Sequence, residues 1–286
     1  MRIGVNLFRT YETAVKKGQR KQGFTLALVS VTKDQRGAVL ESFDLILLSS
    51  VSLLIAGTIK GLAGLGLPTA SAGIMTLWIA PRTAIALILI PMLVSNAWQV
   101  LRMGDVLGTI RRYAPLCAAL ALVLFVTLSL SASAPDRVIF IVLGLSILSF
   151  SVVNLLVALP QLPARLDKPA QLIAGAIAGA LGGLSGIWAA PMVFYLTASQ
   201  VDKDEFIRAT GLLIFAGSVP LAIGYIQQGF LTQQFALIGA VMIVPTLIGF
   251  SIGERIRMGW PSDTFRKVFL YMFLVMGLNL LRRGLF

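Results

Sequence analysis

A chain of 286 residues that is 57% hydrophobic and 13% charged, with a mean hydropathy of +0.88, does not have the composition of a soluble domain, where about a quarter of residues are charged. The net charge of +12 does not point to nucleic acid, because eight of the 24 basic residues fall in the first 41 positions and most others in short loops, the distribution of a topology signal. With no histidine and a single cysteine, Cys117, a His-based catalytic site, a His-liganded metal and a disulfide are excluded, and no cofactor is expected.

Residues 1–41 are polar and basic, and their apolar patch, Phe24–Val31, is too short to span a bilayer. This segment reads as a disordered cytoplasmic tail or as a start codon placed too early. From there, charge is confined to clusters between apolar runs. Runs near 43–64, 83–101, 115–133 and 138–158 are long enough to cross, with a short piece at 69–80. After a loop at 160–169, runs at 170–187, 209–226, 235–252 and 268–282 follow, with a short piece at 189–199. The expected fold is an all-α polytopic integral membrane protein with eight long transmembrane helices and two short half-helices. It falls into two related halves, 42–159 and 170–286.

The relation between the halves rests on pairs at near-constant offset, from 118 residues (Gly57 to Gly175) to 127 (Asp136 to Asp263), with Arg82 and Arg208 between these limits. The basic loops at 102–113, 165–168 and 254–267 favour the cytoplasm, and the uncharged loop 227–234 the outside. If both short pieces are treated alike, the basic loops and the N-terminus cannot all share one side.

Two glycine-rich passages, GTIKGLAGLGLP (57–68) and GAIAGALGGLSGIWAAP (175–191), occupy matched positions. Small residues four apart let helix backbones approach closely in lipid. Gly64, Gly66, Gly182, Gly183 and Gly186 also permit unwinding, which at membrane depth is tolerated only where the backbone is buried or lines a wet cavity. Pro68 and Pro191 then suit the first turn of a new helix, whose free N–H groups attract anions. Two such termini facing one another would hold an anion at the midplane, the arrangement of many secondary transporters.

Candidate substrate-binding residues are therefore Lys60, Gly61, Gly64, Gly66, Pro68 and Thr69 at the first passage, and Gly182, Gly183, Ser185, Gly186 and Pro191 at the second. Lys60 stands out, since a mid-helix lysine costs ~2.5–3.5 kcal/mol on insertion scales and marks a functional site by default. Ser95, Asn96 and Gln99 share a helix face beyond Pro91, as Ser218 precedes Pro220 in the matching helix. Ser95 and Asn96 are further candidate substrate-binding residues, the alternative being that such polar side chains hydrogen-bond the backbone freed by the kink. Arg82 and Arg208 read as gate or anchor residues, and Asn154 and Asn279 as helix-joining ones. No acid is central, which favours an anion carrier driven by membrane potential.

The Gly-rich first helix, the entry Pro81-Arg82-Thr83-Ala84-Ile85-Ala86-Leu87, the stretch GLSGIWAAPMVFYLTASQVDKDEFIRATG (183–211) and the late IGERI and FRKVFLYMFLVMGLNLL segments together resemble the sulfite exporter TauE/SafE family over roughly 43–283. The resemblance implies a multi-pass inner-membrane permease for sulfite, a sulfonate or a small organic acid. Its partners are that anion and the lipid bilayer, with no nucleic acid, and a homo-oligomer is compatible with it. Two other readings are a non-transporting membrane subunit that docks a partner and an intramembrane enzyme suggested by Gly104-Asp105; the duplicated helix breaks argue against the first, and the lack of a second intramembrane Asp against the second.

Overall fold

The computed structural model describes residues 43–156, 160–259 and 262–286; the tail at 1–41 lies outside them. The chain divides at Leu48/Ser49. Of the first unit only 43–48, the start of the first helix, is described, and the packing below concerns Ser49 onward.

Among the described residues the regular elements are all helical. They are α1 (Phe43–Ala63), α2 (Leu67–Met75), α3 (Pro81–Met103), α4 (Val106–Leu130) and α5 (Asp136–Leu156). A short 3-10 turn (Ala164–Leu166) leads to α6 (Asp167–Ser185), α7 (Ala189–Ala198), α8 (Lys203–Gln227), α9 (Gln233–Val241), α10 (Ile243–Gly259) and α11 (Ser262–Leu285). Local signals set the boundaries. Pro81 opens α3, and the Asp202 and Thr232 side chains cap α8 and α9 by accepting from Glu205 N (2.8 Å) and Phe235 N (3.3 Å). Asp204 and Glu205 add negative charge to the first turn of α8, where the helix dipole favours it.

Among the described residues, five helices are long and apolar enough to cross a membrane: α1, α3, α4, α8 and the run Gln233–Ile256. The remaining expected long spans are helices too, α5, α6 and α11, of 21, 19 and 24 residues. The expected single helix at 235–252 is interrupted at Met242, because Pro245 has no N–H to give the carbonyl of Val241.

Glycine decides which helices meet. A Cβ on Gly57 or Gly61 would lie 2.4 Å from Thr246 O or 2.2 Å from Phe250 O, and one on Gly249 or Gly253 would lie 2.1 Å from Leu54 O or Thr58 O. Helices α1 and α10 thus run parallel, backbone against backbone. The same holds for α6 on α4, where Gly175, Gly179 and Gly183 would meet Leu116 O, Leu120 O and Leu124 O at 2.6–2.8 Å. Helices α5 and α11 are antiparallel through Gly144, Gly277 and Gly284. In lipid, where apolar contact gives no net drive, such close packing supplies the dispersion energy that holds helices together. Helix α3 is central, with 67% of its apolar window buried against 28% for α4.

Polar contacts sort the helix ends into two groups. At one end Arg102 pairs with Glu254 (2.6 Å) and Arg112 with Glu205 (2.6 Å). Tyr113 also donates to Glu205 (2.6 Å) and Tyr195 to Asp167 (2.7 Å), the two rings meeting edge-on at 6.3 Å. At the other end Arg82 binds Ser131 O and Ala134 O, Gln228 binds Leu128 O, and Arg137 binds Gly284 O and Leu285 O. Helices α4, α6 and α8 therefore run from the first end to the second, and α3 and α10 run back.

Candidate functional site

The helix stops at Ala63 and restarts at Leu67, with Gly64 (φ 78°) and Gly66 (φ 103°) in the left-handed region that glycine tolerates. Pro68 is the second residue of α2, where its missing N–H costs nothing. On the helix leading into this interruption lies Lys60, fully buried. Its Nζ donates to Asn96 Oδ1 and stands 5.8 Å from the centre of the Phe250 ring. Asn96 is itself oriented by donating from Nδ2 to Met92 O (2.7 Å). Among the described residues no carboxylate pairs with Lys60.

One turn further along both helices, Gln99 Nε2 donates to Gly64 O (3.0 Å) and to Ile207 O of α8 (2.7 Å). Lys60–Asn96 and Gly64–Gln99 are thus successive rungs between α1 and α3. The hydroxyl of Thr69, in the first turn of α2, is buried and has no hydrogen-bond partner. Ser95 is buried as well, turned back on Met92 O at 3.4 Å.

The second interruption is built differently. Gly186 (φ 70°) ends α6, and α7 begins at Ala189, two residues before Pro191, so the proline lies within its first turn rather than opening it. Ser185 Oγ donates to Leu181 O (2.8 Å) and accepts from Ile187 N (3.3 Å), which occupies its hydrogen-bonding capacity locally. The Trp188 ring fills the space beside Gly182 and Gly217, which would place a Cβ 2.9 and 2.7 Å from it. Sequence reasoning passed over Trp188, although the small residues facing it, Gly182 and Gly217, are the signal of a large side chain packed between helices.

The two interruptions do not face one another. Gly64 is bound by Gln99, whereas Gly186 packs against Ile85, fourteen residues earlier on α3 and therefore roughly 21 Å away along its axis. The expectation of paired helix termini around one midplane anion is corrected on this ground. Lys60 also lies off centre: its partner Asn96 is seven residues, about 10 Å, from the Met103 end of α3.

Of the remaining expected site residues, Gly61 faces the α10 backbone and Gly183 faces α4, so both serve helix contact rather than a ligand. Arg82 donates to Ser131 O (3.2 Å) and Ala134 O (2.7 Å) and stacks 4.8 Å from the Phe230 ring, which makes it an anchor. Arg208 is not its equivalent: its buried Nε has no partner. Asn279 accepts from Arg282 in its own helix (3.1 Å) instead of joining another, and the side chain of Asn154 lies outside the described set.

The composition of the site suits an oxyanion: a buried cation, a neighbouring amide and an open helix start. Comparison with curated proteins and with solved structures returned no match. The model of the family described as sulfite exporter TauE/SafE matches residues 50–280, from the second turn of α1 into the last turns of α11. The chain therefore belongs to the sulfite exporter TauE/SafE family and is a multi-pass membrane protein of a transporter family.

Proposed function

We propose that the protein carries a small anion, such as sulfite, a sulfonate or a small organic acid, across the inner cell membrane by alternating access, holding it at the first helix interruption. The observation that carries this reading is the fully buried Lys60, whose ammonium has one amide acceptor and no carboxylate partner among the described residues. A buried charge is costly unless paired. An anion bound beside Nζ supplies the missing partner, and the start of α2 adds a favourable dipole.

The helix contacts support two inverted halves, α1–α5 and α6–α11. Helix α1 packs on α10 as α6 packs on α4, and α5 packs on α11 with its counterpart. Taking α9–α10 as one crossing and counting α2 and α7 as crossings gives ten. With that count the basic loops carrying Arg102, Arg111, Arg112, Arg165, Lys168 and Arg255 share one end, which is cytoplasmic by charge. The Ser49 end of α1 then lies at the other end, so this count keeps the basic loops on one side and gives up the cytoplasmic placement expected for the basic segment 1–41.

The test is flux from proteoliposomes holding the full chain, with sulfite, methanesulfonate and glycolate as probes and Lys60→Ala beside the parent. Saturable flux of one of these, reduced at least about tenfold in folded Lys60→Ala, is the expected result; tenfold is the effect of ~1.4 kcal/mol, within the range for an interaction with a charged group. Flux unaffected by the substitution would remove Lys60 from the site. Absence of flux for all three anions and for the hydroxylated acids tested below would sink the carrier reading.

A further inference from the structure

The polarity of the first interruption specifies more than a negative charge. Gln99 is 3% exposed, and its amide is oriented without ambiguity because both Nε2 partners, Gly64 O and Ile207 O, are carbonyls that only a donor can satisfy. The amide oxygen must therefore face away from them, and this buried Oε1 has no donor. A buried acceptor left unmade carries the desolvation cost of that group, so the position selects for a ligand that supplies a donor. One turn away on the same two helices is the Lys60 ammonium, with two of its three donors beyond the one given to Asn96.

We infer that the substrate at this site is a small monoanion bearing its own hydroxyl donor, with the charged group at Lys60 and the hydroxyl at Gln99 Oε1. This rests on the carrier reading and narrows it. The rungs are three residues apart on α3 and four apart on α1, which sets them about 4.5–6 Å apart along the helices. An acid with an alkyl tail fits poorly, because it gives Oε1 no donor. The unpartnered hydroxyl of Thr69 is able to donate to the anionic group.

The experiment compares 2-hydroxyethanesulfonate with 1-propanesulfonate, which differ by hydroxyl for methyl and stay ionised, in the reconstituted full chain. The same comparison is made for 3-hydroxypropionate and butyrate. The expected result is a preference of about tenfold or more for the hydroxylated member of each pair in sub-saturating flux, as a hydrogen-bonding site rejects the analogue lacking the group. Purified protein in detergent should show the same order in ligand-induced thermal stabilisation. In Gln99→Met the preference should collapse towards unity in whatever flux remains. If that variant fails to fold, the paired substrates decide alone. Equal flux and equal stabilisation within both pairs overturn the inference and leave the carrier reading standing. If none of these anions, nor sulfite, moves or stabilises, the carrier reading fails and takes the inference with it.

Discussion

Arg82 and Arg208 each follow a short loop at the start of a helix, yet their surroundings give them opposite roles. Arg82 binds the carbonyls of Ser131 and Ala134 in the loop after α4, where Ser131 O also accepts from Ala134 N (2.9 Å), and its guanidinium lies on Phe230. Replacing it by Ala should lower stability by about 1–3 kcal/mol, read as a lower melting temperature in detergent, with substrate preference unchanged. Arg208 keeps a buried Nε without a partner in the turn that also carries Ile207, the residue packed on Gly64. Arg208→Ala should leave the melting temperature within about a degree or two, since little is lost from the packed state. It should instead raise the anion concentration for half-maximal flux several-fold, by removing positive potential near the first interruption. The reverse pattern would exchange the two assignments. Lys60 was legible in the sequence because a charge inside an apolar run is anomalous in itself. Its partners were not, since Asn96 and Phe250 reach it only through the packing of α3 and α10.

At the level of helices, glycine spacing foretold close contact but not the partner. Gly57 and Gly61 announce a face for helix packing, and that face meets the matching Gly249–Gly253 face of α10, nearly two hundred residues away. A Cβ at Gly61 would lie 2.2 Å from Phe250 O and 2.8 Å from Glu254 N, both backbone atoms that no rotamer change can move. Gly61→Ala should therefore push α1 off α10, at a cost of about 1–3 kcal/mol for overpacking. Fluorescence-detected gel filtration should show a reduced folded yield. Gly229→Ala, with nothing within 4 Å of the added Cβ, tests by comparison what a positive φ alone costs. An unchanged yield for Gly61→Ala would mean that these helices are further apart than described. The interruption at Met242 was missed for a related reason. Pro245 signals a break, but the run of apolar residues through 235–252 reads as one span when only length and hydropathy are weighed.

For the molecule as a whole, the proposed inversion of the halves changes what matched sequence positions mean. In inverted halves, residues at the same place in each repeat stand at opposite ends, so Arg82 lies with Phe230 and Arg208 with the start of α8 beside Glu205. Gly64 and Gly186 likewise pack towards opposite ends of α3, as the proposed inversion requires and hydropathy alone does not reveal. The arrangement makes a topological prediction in which two signals conflict. Arg282 and Arg283, in the last turn of α11, by themselves favour a cytoplasmic C-terminus. Against this, Arg137 binds Gly284 O and Leu285 O and sits in the first turn of α5, just beyond the loop held by Arg82, at the end without the basic-loop cluster. An odd number of crossings separates that end from the basic loops, so the C-terminus and loop 227–234 should both face outward. A C-terminal alkaline phosphatase fusion should then be active, and a cysteine introduced at Gly229 should react with an impermeant maleimide in whole cells, while one at Gly104 should not. An inactive C-terminal fusion together with a reactive cysteine at Gly229 would leave an odd number of crossings between loop 227–234 and the C-terminus. The two-crossing path through α9–α10 and α11, and with it the inverted relation of the halves, would then be wrong.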